Sequence, residues 1–217
     1  MPVEVARHHV REEIQRRILS GESKAGERLS QQSLARELGV AQGTVRESLV
    51  ELQWLGLVES VDHLGVFVGN LDASHICQAY QVREFLEGLA AQLCCNQAGR
   101  GDIAVLRGMA DDIYELARKN KEEEMGKLDR KFHLHIVELS RNKILLRLAE
   151  TYRVLGMTVR ASRDPEIIHE EHLGIVEAIE KNRADDAECL ARRHVAEAAR
   201  MIETQAQQGN FAPKWVE

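Results

Sequence analysis

The hydrophobic pattern of this 217-residue chain changes period only once, and that change limits the folds open to it. Between Leu57 and Val68, apolar residues gather in Leu57-Val58-Glu59-Ser60-Val61 and Val66-Phe67-Val68, on either side of Asp62-His63-Leu64-Gly65. Two short apolar runs around a tight turn read as a β-hairpin. Before and after the hairpin, apolar side chains recur at helical spacing. One hairpin cannot build a sandwich or a barrel, so a mainly α fold is expected. Composition agrees: with 3 Pro, 15 Gly and 4% aromatics, a chain rich in Ala, Leu, Glu and Arg favours helices over all-β architectures.

Three helices precede the hairpin. The first, Val5 to Leu19, repeats Val10, Ile14 and Ile18 and carries Arg7, Arg11, Arg16 and Arg17 on its polar side before Ser20-Gly21 stops it. Leu29-Ser30 opens the second, with Ser30 as N-cap and Leu34, Ala35 and Leu38 as its stripe, and Gly39-Val40 ends it. The third starts near Gln42, aligns Val45, Leu49 and Leu52, and closes at Gly56. Beyond Gly69-Asn70 helices are expected at about 73–98, 101–119, 121–140, 143–161, 165–182 and 184–207, with breaks at Gly99-Arg100-Gly101, Asn120, Asn142, Asp164-Pro165 and Asn182. The boundary therefore falls near 69–72: a small helical domain with a hairpin over 1–69, then an all-α antiparallel bundle over 72–208.

Charge and cysteine content exclude little. A net charge of −6 and a pI near 5.9 suit a soluble cytoplasmic protein. Cys77, Cys94, Cys95 and Cys189 have neither CxxC spacing nor the density of a disulfide framework, so reduced cysteines filling a core are expected. Adjacent residues diverge by roughly 100° on a helix, so Cys94 and Cys95 cannot chelate as a pair. The opening MPVEVARHHV lacks a signal-peptide core, and no run of about 18 apolar residues occurs, so neither secretion nor membrane spanning is expected.

The second and third helices, joined by a short Gly-containing turn, have the small Ala35 and the apolar Val45 where two helices of a helix-turn-helix cross closely, and the hairpin behind them adds a wing. An ordinary three-helix subdomain would show much of the same pattern. The individual residues go further. Ile18-Leu19-Ser20-Gly21, Gly26-Glu27-Arg28-Leu29-Ser30, Leu34 to Val40, Thr44-Val45-Arg46-Glu47-Ser48-Leu49, Leu55-Gly56-Leu57-Val58 and Gly65-Val66-Phe67-Val68 are colinear with the DNA-binding domain of GntR-family transcription regulators, which residues 5–69 resemble.

That resemblance implies double-stranded DNA as a partner. Arg28 and Ser30 would touch the phosphate backbone, Gln42, Gly43, Thr44 and Arg46 would enter the major groove, and the Gly65 turn would reach the minor groove. The chain departs from the family at Ala41-Gln42-Gly43, where relatives carry Ser or Thr, then Arg, then Thr. Gln suits adenine where Arg suits guanine, and Ala41 gives up a capping hydroxyl at about 0.5–2 kcal/mol. The wing tip Asp62-His63-Leu64 also lacks the family's basic pair. Residues 1–70 hold eight basic and ten acidic side chains, a balance of −2. Binding DNA thus requires the arginines to gather on one face, as the polar side of the first helix permits, and two copies acting together.

A second constellation lies in the bundle. Asp129 and His133 are four apart on one helix and share a face, while His172 and His194 sit in apolar frames on later helices. If all face inward, one carboxylate and three imidazoles meet, a donor set for Zn, Ni, Mn or Fe(II); unconnected surface or core histidines are the alternative. Residues 75–205 resemble the FCD ligand-binding domain of the FadR subfamily, through Val82-Arg83, Leu86 to Ala91, Asp129-x-x-Phe132-His133, Ser140-Arg141-Asn142, Glu171-His172 and His194. The resemblance implies that Asp129, His133, His172 and His194 hold a divalent ion, with His135 and His169 outside the set.

Open positions on such an ion would suit a small carboxylate effector, with Arg83 as a second anchor and Tyr152 as a hydrogen-bonding partner. Arg83 could equally pair with Glu87 one turn on; Arg153 and Arg160 are weaker anchors. The expected protein is a homodimeric, ligand-responsive transcriptional regulator, a repressor of operator DNA. A metal-dependent hydrolase is the rival, although no HExxH-type general base accompanies the ligands. A purely structural ion is the third reading.

Overall fold

The computed structural model describes residues 3–70, 72–156 and 163–210, the side chains of Val3 and of 150–156 excepted. The elements are α1 (Val3–Leu19), β1 (Arg28–Leu29), α2 (Gln31–Leu38), α3 (Gln42–Trp54), β2 (Val58–Val61), β3 (Gly65–Val68), α4 (Ala73–Cys94), α5 (Arg100–Arg118), α6 (Glu122–Leu139), α7 (Lys143–Gly156), α8 (Pro165–Glu180) and α9 (Ala184–Gln207). They form two compact units, Met1–His75 and Ile76–Glu217.

In the first unit α1 packs along α3 and α2 crosses α3. Val10, Ile14 and Ile18 are buried with Val45, Leu49 and Leu52, the stripes that helical periodicity requires. Ser30 caps α2 by accepting from Ser33 N at 3.2 Å, and Gly39 ends it in the left-handed region at φ 66°, where a Cβ would be strained. Ala41 leaves α3 without a side-chain cap, as its missing hydroxyl dictates. The sheet has three antiparallel strands in the order β1-β3-β2, one more than the hydrophobic pattern announces. Arg28 pairs with Phe67 and Val58 with Val68. A strand of two residues is too short to show alternation, so β1 carries no sequence signal.

In the second unit the core forms from one face of each helix: Ala90, Ala91 and Cys94 of α4, Leu106 and Ile113 of α5, Phe132 and Ile136 of α6, Ile175 and Ile179 of α8. Truncating a fully buried Phe132 would cost about 3–5 kcal/mol. Asn120 and Asn182 adopt positive φ (55° and 53°) after α5 and α8, as short polar side chains permit. At the third break Arg141, not Asn142, takes the left-handed conformation. Asn142 instead accepts from Ile144 N and Leu145 N, both at 3.1 Å, and so starts α7. Asp164 accepts from Glu166 N at 2.9 Å and Pro165 opens α8. Cys77, Cys94 and Cys95 are buried thiols; Cys189 is exposed, a correction to its expected place in the core. Among the described residues no helix is long and apolar enough to cross a membrane.

Candidate nucleic-acid surface and metal centre

The arginines of α1 do not form an open basic face. Arg7 pairs with Glu51 at 3.0 Å and with Glu47 at 3.7 Å, and Arg11 reaches Glu51 at 3.3 Å, so both tie α1 to α3. Arg16 and Arg17 bind Glu13 at 2.9 and 2.7 Å, and Arg17 also reaches Glu37 of α2 at 2.7 Å. The Glu13 carboxyl falls to about 2, held there by hydrogen bonds from Arg16 and Arg17. These four cations are therefore occupied within the fold, which corrects the expectation that they gather for DNA. Lys24, Arg28, Arg36 and Arg46 are exposed and make no ion pair among the described residues. Arg36 and Arg46 sit on the two helices of the helix-turn-helix, Arg28 on β1 and Lys24 in the loop before it, so among the described residues a formally acidic domain keeps these unpaired cations on or next to the helix-turn-helix.

Within α3, Gln42, Gly43 and Arg46 are exposed, whereas Thr44 is only 9% exposed. Residues 44, 45, 48, 49 and 52 make up the buried stripe, and the Ser48 hydroxyl donates to the carbonyls of Thr44 and Arg7, both at 3.0 Å. Thr44 therefore faces the domain interior and offers little side chain to a groove. Ser30 is exposed at the start of α2, its oxygen engaged as the cap. At the wing, Leu64 N donates to Val61 O at 3.0 Å, closing the turn, and Gly65 adopts φ 116°, which an L side chain would strain.

In the second unit α6, α8 and α9 bring His133, His172 and His194 together. One nitrogen from each ring lies within 4.8 Å of the others, and all three side chains are buried. Asp129 Oδ1 stands 3.4 Å from His172 Nε2 and 3.8 Å from His133 Nε2. Neither His133 Nε2 nor either nitrogen of His172 has a hydrogen-bond partner among the described residues. Leaving such buried polar atoms unsatisfied costs about 1–3 kcal/mol each. Burial pushes the His172 imidazole well below its ordinary value, and its neighbours His194 and His133 push it the same way. Burial also lowers His194, against the hydrogen bond it donates to Glu171, which raises it. Three converging imidazole nitrogens beside one carboxylate fit a borderline divalent ion.

Around this cluster stand residues that the motif reading did not assign to it. Glu87 Oε2 lies 2.8 Å from His133 Nδ1, and Glu171 Oε2 lies 2.7 Å from His194 Nδ1. Arg83 ion-pairs with Glu87, and Arg163 with Glu171 at 2.5 Å. Burial alone would raise the Glu87 carboxyl, but Arg83 and His133 hold it far below the usual carboxylate range. Glu171 is likewise opposed by burial yet drawn to about 2 by His194 and Arg163. In the sequence both carboxylates lie in stretches that resemble the FCD domain, Glu87 one turn after Arg83 and Glu171 next to His172, but nothing in those stretches names them as partners of the histidines.

Arg83 is thus part-buried and paired with Glu87, the pairing its spacing allowed, with its guanidinium 5.2 Å from the Tyr80 ring. The side chains of Tyr152 and Arg153, and all of Arg160, lie outside the described residues. His135 reaches Glu138 at 3.4 Å and His169 reaches Asp111 at 2.8 Å, both apart from the cluster.

Comparison with known proteins agrees with this architecture. Residues 6–68 match the gntR family of bacterial regulatory proteins, and residues 78–197 match the FCD domain. The Nta operon transcriptional regulator of Aminobacter aminovorans is 31% identical over 180 residues, 79% of this chain and 82% of that one. A relative from Paenarthrobacter nicotinovorans, described as "Probable D-xylose utilization operon transcriptional repressor", is 31% identical over 191 residues, 86% and 84% of the two chains. The solved structure of E. coli McbR/YncC shares the fold at a TM-score of 0.69 and 18% identity, covering 93% of this chain and 98% of its own. These relatives are transcriptional regulators rather than enzymes, which sets the hydrolase reading aside. A winged helix-turn-helix followed by an FCD domain, matched along nearly the whole length, places the chain in the GntR family of bacterial transcriptional regulators.

Proposed function

We propose that this regulator is a FadR-subfamily repressor in which a small organic acid, sensed at a metal-containing FCD domain, controls binding to a palindromic operator. The observation that carries the reading is the convergence of one buried nitrogen from each of His133, His172 and His194 near Asp129, with His133 Nε2 and both nitrogens of His172 lacking a hydrogen-bond partner among the described residues. Asp129, His133, His172 and His194 would hold a divalent ion, which supplies Lewis-acid positions open to a carboxylate. Arg83 is the second anchor, with Glu87 as its resident counter-ion, so an incoming carboxylate shares the guanidinium with Glu87. Its planar fork of donors suits that sharing. Tyr152 is the proposed hydrogen-bonding partner of the effector.

The reading head is small, so useful affinity needs two of them. A homodimer would set two copies of α3 in successive major grooves of a palindrome. Gln42, Gly43 and Arg46 are the exposed positions that would face base edges, with Thr44 contributing backbone only. Arg28 and Ser30 would meet phosphates, and Gly65 would let the wing approach the minor groove. The protein would act in the cytoplasm, where operator DNA is found.

Elemental analysis of the purified protein, followed by operator titrations with and without small organic acids, tests the reading. Bound divalent metal and an operator affinity lowered about 5–150-fold by an acid would support it. His194→Ala should lose metal and the response while keeping basal DNA binding. Wild-type protein without metal, or a His194→Ala variant that responds normally, would overturn it. Metal without any effector response would leave the ion a structural one, and an acid that tightens binding would reverse the sign from repression released by effector.

A further inference from the structure

His133 and His194 are each backed on the outer nitrogen by a carboxylate that is not itself among the proposed ligands. Glu87 of α4 sits behind His133 of α6, and Glu171 of α8 sits behind His194 of α9, at 2.8 and 2.7 Å. Each carboxylate uses its other oxygen on an arginine, Arg83 on Glu87 and Arg163 on Glu171. The same three-part chain thus occurs twice, built from different elements. In both, Nδ1 is the occupied nitrogen, so the inward-facing lone pair is on Nε2. His172 differs: its Nδ1 is buried without a hydrogen-bond partner among the described residues.

Resting on the reading of the histidine cluster as a metal centre, we propose that Glu87 and Glu171 are positioning residues of that centre. They fix the Nε2 tautomer and the ring orientation of His133 and His194, while Arg83 and Arg163 hold the carboxylates in place.

Stability alone explains the arrangement poorly. A buried ion pair seldom outperforms a packed apolar pair, because desolvation offsets its attraction. A carboxylate that accepts Nδ1–H, by contrast, raises the basicity of the opposite nitrogen and removes the entropy of ring rotation before an ion arrives, and such partners change metal affinity about 10–100-fold. The two chains also link α4 to α6 and α8 to α9. Arg163 makes only the second chain, which keeps a test at Glu171 clear of Arg83, the proposed effector anchor.

The test is a Co2+ titration of the full-length apoprotein, read by visible absorption and by competition with a chelator, for wild type, Glu171→Ala and Glu171→Gln. Alanine should weaken Co2+ binding about 10–100-fold and alter the absorption bands. Glutamine keeps an oxygen to accept Nδ1–H and should recover part of the loss. Co2+ bound by Glu171→Ala with wild-type affinity and spectrum would overturn the proposal and reduce Glu171 to an ion-pair partner. If the alanine variant fails to fold, Glu171→Asp withdraws the carboxylate by one methylene and is read the same way. Wild-type protein that binds no Co2+ would overturn the metal reading, and this inference with it.

Discussion

The Arg28 guanidinium lies against the Gly65 turn of the wing: a Cβ added to Gly65 would meet Arg28 Nε at 3.2 Å. The contact follows from β1 pairing with β3, which sets Arg28 opposite Phe67. It brings an exposed cation, without an ion pair among the described residues, beside the wing turn. Neither residue reports the other in sequence.

Arg28 and Arg46 should separate in a salt series. Arg46→Ala should cost roughly 1–3 kcal/mol and relax preference at one operator position, while Arg28→Ala should weaken all duplexes alike and reduce the salt slope by about 1. Arg17→Ala, which breaks contacts to Glu13 and Glu37, should lower the melting temperature without changing that slope. Fluorescence anisotropy over a range of salt concentrations measures both. An Arg46→Ala variant that folds and binds normally would remove Arg46 from the interface.

Gln42 is exposed at the first turn of α3. Gln42→Arg should shift preference toward guanine at one symmetric pair of operator positions, because Arg offers two donors to guanine O6 and N7 where Gln pairs donor and acceptor with adenine. Selection from a random duplex library decides the point; identical motifs from both proteins would show that residue 42 reads no base.

Acid should loosen the first unit through Glu13. Its folded value, about 2, lies below its ordinary 4.5, so the stabilisation is complete above about pH 4.5 and is lost as pH falls toward 2. Because the group is near the surface, Glu13→Gln should cost no more than about 1 kcal/mol at neutral pH. The variant should also show a shallower fall in melting temperature between pH 5 and 2.5. Parallel curves for the two proteins would count against this assignment.

Gly69 should resist substitution. Its Cβ would stand 2.8 Å from the carbonyl oxygen of Gly56 and 3.3 Å from that of Leu57, and its own N–H donates to Leu57 O at 2.9 Å. Both obstacles are backbone atoms that cannot rotate away. Gly69→Ala should therefore destabilise by about 1–3 kcal/mol, seen as a lower midpoint in urea with α1 to β3 unfolding first. A midpoint equal to wild type would show that the strand exit can shift.

What the sequence determined by itself was local: α1 to α9 from apolar spacing, the Ser30 cap, the Gly39 stop and the wing turn, since each depends on residues within a turn or two of one another. The family motifs carried the four residues from Asp129 to His194, and the structure sets them side by side. What only the tertiary structure decided was pairing across the chain. Arg11 meets Glu51 forty residues on, and Arg17 meets Glu37 twenty residues on. Glu87 and Glu171 stand behind His133 and His194, and Thr44 is turned inward. Periodicity names the face a side chain occupies; which charge waits on the facing helix depends on crossing angle and axial offset, and those are set by core packing, not by any local spacing.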